Sequence, residues 1–309
     1  MIINLEKTLQ AKPDGRINLF IGAVGYESRS TWLLENGGIE ADKIIGYQFS
    51  YNQVLHFDEA CRLYSAAGAE ILPFPENDGL EILKRTLLEI SLSAKSVMRV
   101  VLDISAMSRL MIATTLVALT EVRHDAGLEV NVHYTPARFQ SPGPTSPARV
   151  AEPIIPELAG WSDRPDVPLG VLIGLGYEGN AAAGALQVLE PSRAWAFYPF
   201  GQDERFLREV ELANEDLSTI YEVIKLTYAV MDPAGTRALL KRMLSELRAD
   251  YRIALVPFGP KIFAWLCMLT ALESGFQEVG VWRFSPQELG EPVDHIASGL
   301  SIWHQVNIR

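Results

Sequence analysis

Two stretches of this sequence carry residue types that hold a phosphate. Asp103-Ile104-Ser105-Ala106-Met107-Ser108-Arg109 sets two small hydroxyls and a guanidinium ahead of an apolar helical pattern, so that backbone N–H groups, hydroxyls and a cation can converge on one anion. Phe258-Gly259-Pro260-Lys261 follows the same logic, with an ammonium as the charge and a proline preset for a first helical turn. A second pair is Gly25-Tyr26-Glu27-Ser28-Arg29 and Gly176-Tyr177-Glu178-Gly179-Asn180. Each tyrosine offers a face for a base or a hydroxyl for a ribose. Each glutamate can orient a ligand hydroxyl or amino group, but it can equally cap a helix start, worth about 0.5–1 kcal/mol. The glycines can serve as turn residues, and the serines as helix caps, without touching a ligand.

Catalytic arrangements are sparser. Asp103 with Glu27 could form a carboxylate pair for acid–base chemistry, and these two are the catalytic candidates. Walker A (GxxxxGK[ST]), GxGxxG and GxSxG patterns are all absent. His56, His124, His133, His295 and His304 lack the spacing that recommends a metal, so they read as structural or exposed, and neither metal nor cofactor is expected. Cys61 and Cys267 lie far apart in apolar helical stretches and read as buried core residues rather than a disulfide.

The elements that position these residues repeat. Ile17 to Gly22 is a short apolar strand running into Gly25-Tyr26-Glu27, and Val171 to Gly174 runs into Gly176-Tyr177-Glu178; the tripeptides start 151 residues apart (25 and 176). A helix and a second strand follow in each, Lys43–Phe49 and Ala194–Tyr198. Strand Val100–Ser105 feeds a helix at Arg109 and strand Ile253–Phe258 feeds one at Lys261, 152 residues apart (109 and 261). Leu128–Tyr134 and Gln277–Arg283 then align Glu129 with Glu278, 149 apart (129 and 278). A near-constant register at four landmarks implies internal duplication. Strands alternating with helices imply an α/β fold of two tandem Rossmann-like units, each a doubly wound, mainly parallel sheet. The expected division is 1–140 for the first unit and 169–309 for the second. Residues 141–168 form a linker, in a region where Pro136 to Pro168 includes eight prolines. Ala148–Ile155 and Ser298–Val306 could each add an edge strand. The duplicate is asymmetric, because Leu255 stands where the first half has Asp103.

In open parallel sheets, ligands bind beyond the carboxyl ends of the strands, where all four stretches lie, together with Tyr134 and Arg283. A net charge of −11 disfavours extended nucleic acid as a partner but leaves room for a local basic pocket. No run reaches the roughly 18 apolar residues of a membrane span, and the N-terminal residues lack a signal pattern, so no membrane association and a cytoplasmic location are expected.

The strand, small-residue turn and basic helix start in Leu102 to Met111 resemble the corresponding region of CARF-type domains, the Rossmann-like sensors of CRISPR systems, and Val256 to Lys261 resembles it in the second half. Arg109 and Lys261 would match the family's basic position, and Ser105, Ser108 and Gly259 its phosphate-facing turn. The family's Thr-Gly-Gly-Thr turn is absent from both copies, and Pro260 replaces a threonine. The related SAVED proteins fuse two such units in one chain. The resemblance implies a sensor that binds a nucleotide or cyclic oligonucleotide in a pocket between the two halves, with a role in antiviral defence. Gly25, Tyr26, Glu27, Arg29, Ser105, Ser108, Arg109, Gly176, Tyr177, Glu178, Gly259 and Lys261 are the expected ligand-binding residues. Two alternatives stand beside it: a nucleotide-processing hydrolase or phosphodiesterase using the first half, and a non-catalytic scaffold subunit that docks a protein partner or a second copy.

Overall fold

The structure is a computed structural model that describes residues 3–74, 79–93, 96–122, 126–143, 150–160, 164–177, 180–274, 279–285 and 291–308. Glu178, Gly179, His124 and Glu278 lie outside the described residues. The chain divides into two units, Met1–Arg138 with Glu291–Arg309, and Phe139–Gly290.

In the first unit the elements run β1 (Ile3–Leu9), β2 (Ile17–Val24), α1 (Trp32–Asn36), β3 (Ala41–Gln48), α2 (Phe57–Ala66), β4 (Glu70–Pro73), α3 (Gly79–Ser93), β5 (Met98–Asp103), α4 (Arg109–Glu121) and β6 (Leu128–Tyr134). The second unit holds β7 (Val150–Pro153), β8 (Leu169–Gly174), α5 (Ala181–Leu189), β9 (Arg193–Phe200), α6 (Glu204–Ala213), α7 (Leu217–Ile220), β10 (Val223–Ala229), α8 (Pro233–Leu247), β11 (Arg252–Pro257), α9 (Lys261–Ser274) and β12 (Val279–Ser285). The chain then returns to the first unit with β13 (Ile302–Ile308).

Each sheet contains a parallel core in the same order. It reads β4-β3-β2-β5-β6 in the first unit and β10-β9-β8-β11-β12 in the second, so the strand order reverses between β2 and β5 and between β8 and β11. This is the Rossmann-like α/β arrangement expected from the alternation of strands and helices. An antiparallel strand flanks each core: β7 pairs with β12, while β13 pairs with β6 and carries β1 on its far side.

The sequence dictates these elements locally. β2 and β5 are near-continuous apolar runs because parallel strands are covered on both faces. α4 and α9 are apolar almost all round, and Met111–Leu119 and Ile262–Ala271 are buried, as such helices must be. Both begin where the sequence places them, at Arg109 and Lys261.

Three expectations need correction. The segment Ser298–Val306 does not form an edge: β13 is an interior strand of the first sheet, so residues 291–309 leave the second unit. Its register is held by polar groups that a central strand would otherwise exclude. Gln305 Nε2 donates to Asn131 Oδ1 at 2.8 Å, and His304 Nε2 lies 2.8 Å from Glu6 Oε1. The proline-rich stretch is also more than a linker, since β7 and the 3-10 turn Pro156–Leu158 belong to the second unit. Prolines sit at the end of β7 and at the first position of that turn, where no backbone N–H is needed. Finally, Cys267 is buried and burial pushes its thiol up, but Cys61 on α2 is only half-buried.

Candidate functional site

At the carboxyl edge of the first sheet, three loops are stitched together by one chain of polar contacts. β2 runs out into Gly25-Tyr26, and the 3-10 turn Ser28–Ser30 then leads into α1. Glu27 stands at the start of that turn without capping it. Its carboxylate accepts instead from Arg29 Nε at 2.5 Å, forming an ion pair whose members are only 8% and 6% exposed. Arg29 Nη1 donates to Thr135 O at 3.4 Å, just past β6. Thr135 N donates to Ser105 Oγ at 2.8 Å, and Ser105 donates through N and Oγ to Asp103 Oδ1 at 3.0 and 2.6 Å. The same carboxylate oxygen lies 3.1 Å from His133 Nδ1. Asp103, Ser105, His133 and Thr135 are all buried.

Arg29, Arg109 and Glu27 all act electrostatically on the buried Tyr134 hydroxyl. Burial pushes Tyr134 up; Arg29 and Arg109 oppose that shift and Glu27 reinforces it. Burial also raises Tyr26, with Glu27 and Tyr51 adding to the rise and Arg29 opposing it. Tyr26 and Arg109 are half-buried, and Tyr51 on the loop after β3 is exposed, its ring 5.6 Å from that of Phe49. The C-terminal segment crosses this edge too. Asp294 Oδ1 accepts from Ser28 N at 2.6 Å and its Oδ2 lies 3.3 Å from His56 Nε2, so the free N–H at this turn carries a carboxylate of the protein itself.

Several expected phosphate contacts are engaged elsewhere. Ser108 caps α4, its hydroxyl accepting from Met111 N at 3.1 Å, and the Ser105 hydroxyl is committed on both sides within the polar chain. Gly25 has no left-handed backbone; a β-carbon there would touch Phe49 at 3.4 Å. Asp103 and Glu27 each carry partners of their own, the histidine and serine for one, the arginine for the other.

The second unit builds its corresponding edge from packing. The Gly176 carbonyl accepts from Asn214 Nδ2 at 3.0 Å, and Tyr177 stacks on Phe206 at 6.0 Å between ring centres, with Phe139 edge-on to Phe206. Gly259 has φ +72°, and a β-carbon would fall 2.3 Å from Leu175 O, so glycine is required for the approach of two loops. Lys261 is half-buried at the start of α9, and Arg283 is bound to Glu152 of β7 at 2.8 Å. β11 ends in Val256-Pro257, with the apolar Leu255 at the position equivalent to Asp103. A cavity of about 220 Å³, lined by residues including Tyr198, Asn214 and Lys225, contains none of the expected ligand-binding residues.

The sequence reading missed His133, Thr135, Asp294 and Ser301. For His133 a signal existed: polar Asn131 and His133 interrupt a strand otherwise suited to burial on both faces. For Asp294 and Ser301 there was none, because they reach the site only through the return of the chain into the first unit.

Among the described residues, no group of three or more His, Cys, Asp or Glu could hold a metal, and no helix is long and apolar enough to cross a membrane. Compared with protein-family models and with curated proteins, the chain matches none.

Proposed function

We propose that the carboxyl edge of the first unit binds a phosphate-containing ligand, a nucleotide or cyclic oligonucleotide, and that the protein acts as a sensor of it. The observation that carries this reading is the placement of two guanidiniums, Arg29 after β2 and Arg109 after β5, on the loops that flank the point where the strand order reverses, both acting electrostatically on Tyr134 at the end of β6. The edge carries these two cations beside the carboxylates of Glu27, Asp103 and Asp294, each of which is engaged by its own partner, Arg29, His133 with Ser105, and Ser28 N with His56. Arg109, half-buried at the first position of α4, faces the ligand, while Arg29 is the buried member that Glu27 holds in place. Tyr26 and Tyr51 provide aromatic faces for a base. Recognition rests on side-chain cations rather than on the Ser28 N–H, which Asp294 occupies. The likeness of Leu102–Met111 to CARF-type domains supports the same ligand class and a role in antiviral defence.

A thermal-shift screen of mononucleotides and cyclic oligonucleotides tests this. A ligand at about 100 times its dissociation constant should add roughly 2.7 kcal/mol of stability, and Arg109→Ala should abolish the shift. Absence of a shift with every phosphate ligand would refute the reading and favour a scaffold.

A further inference from the structure

We propose that Ser301 is an activated nucleophile that hydrolyses carboxylic esters, with His133 as its base and Asp103 as the group that holds the imidazole. Ser301 Oγ lies 3.1 Å from His133 Nε2, and His133 Nδ1 lies 3.1 Å from Asp103 Oδ1. Hydroxyl, imidazole and carboxylate thus stand in the order and at the spacing that serine hydrolysis uses, supplied by the residue just before β13, by β6 and by the end of β5.

The surrounding contacts fix the proton positions. Asp103 Oδ1 already accepts from Ser105 N and Oγ, so as a carboxylate oxygen it can only accept from His133; the imidazole therefore carries its proton on Nδ1 and offers a bare Nε2. The ring plane is clamped, with Trp32 stacked on it at 5.9 Å and an interplanar angle of 4°, and Trp303 tilted against it at 4.7 Å. Thr135 Oγ1 also reaches Nε2, at 3.2 Å, but Thr135 is fully buried and cannot meet a substrate. Ser301 is exposed while its base is buried. That asymmetry suits an ester presented at the surface, attacked by a hydroxyl whose base is sheltered from water.

The chemistry balances without a metal or a redox partner. Ser301 Oγ attacks the ester carbonyl carbon as its proton passes to His133 Nε2, and Asp103 stabilises the imidazolium. The C–O bond to the alcohol then breaks, the alcohol oxygen taking the proton from Nε2 and leaving an acyl-Ser301. Water adds to the acyl carbon, again losing a proton to Nε2, and that proton returns to Ser301 Oγ as the carboxylic acid departs. The sum is ester plus water giving acid plus alcohol. This activity does not depend on the phosphate-ligand reading.

The test treats the full chain with a fluorophosphonate, which phosphonylates activated serines, and maps the adduct by mass spectrometry. One adduct per chain at Ser301, absent in Ser301→Ala, is expected, with p-nitrophenyl acetate hydrolysis falling by about 100-fold in that variant. Because Ser301 is exposed, this variant tests chemistry rather than folding. A second variant avoids disturbing the buried imidazole: the thiol of Ser301→Cys should react with iodoacetamide at neutral pH about tenfold faster than a free cysteine, because a neighbouring imidazole favours the thiolate. No adduct at Ser301 beyond that on the neighbouring Ser298, hydrolysis unchanged in Ser301→Ala, or a thiol no faster than free cysteine would each overturn the proposal.

Discussion

Replacing Arg29 by methionine removes one member of a buried ion pair and strands the other. Glu27 and Arg29 are 8% and 6% exposed, close enough to full burial that solvent screening offers little relief. Burial alone disfavours the guanidinium charge; Glu27 and Tyr134 more than offset it, holding Arg29 firmly charged. Loss of one partner from such a pair costs about 3–5 kcal/mol, because the remaining carboxylate must shed its charge or admit water. The Arg29→Met substitution also forfeits the 3.4 Å bond to Thr135 O, so the upper part of that range is expected. Against a typical domain stability of about 5–15 kcal/mol, this is a severe but survivable loss. The double variant Glu27→Gln/Arg29→Met should recover part of it, giving a coupling energy of about 1–3 kcal/mol. Urea denaturation followed through Trp32 and Trp303, which sit together around His133, measures all four corners of the cycle. Single losses below about 1 kcal/mol, or strict additivity, would mean that water already screens the pair, and the reasoning from burial would fail.

Other outcomes follow from the same contacts. Gln305→Leu leaves the buried Asn131 Oδ1 without its donor at 2.8 Å and should cost about 1–3 kcal/mol by chemical denaturation; a neutral result would show that the pair does not hold the register of β13. Gly259→Ala must adopt φ +72° with its β-carbon 2.3 Å from Leu175 O, so it should lose more than the roughly 1–2 kcal/mol of left-handed strain alone, read as a lowered melting temperature. Glu129 feels burial, which raises it, but the Arg99 guanidinium and Asn131 amide outweigh that and hold it below the usual carboxylate value. A carboxyl depressed in the folded state contributes stability above its unfolded value and loses it as pH falls through the folded one. Acid titration of stability should therefore steepen below the ordinary glutamate range in the wild type and flatten in Arg99→Met; identical curves would refute the assignment.

The sequence by itself determined the repeated strand–helix order, because each strand and helix start is written within about ten residues as a period and a turn. The apolar run of β5, the helix start at Arg109 and its equivalent at Lys261 were all legible in this way. Gly-Tyr-Glu marked a helix approach in each half, but not the fates of its residues: Glu27 turned inward to Arg29, and Tyr177 was packed against Phe206. Tertiary structure alone decided that β13 enters between β1 and β6, since an alternating strand near the C-terminus carries no information about which sheet edge it meets. That one pairing brings Ser301 and Trp303 to His133, while the preceding segment lays Asp294 across Ser28. Periodicity reports which face a residue shows to its own element. Convergence of Asp103, His133 and Ser301 depends on long-range strand pairing, which no local window contains.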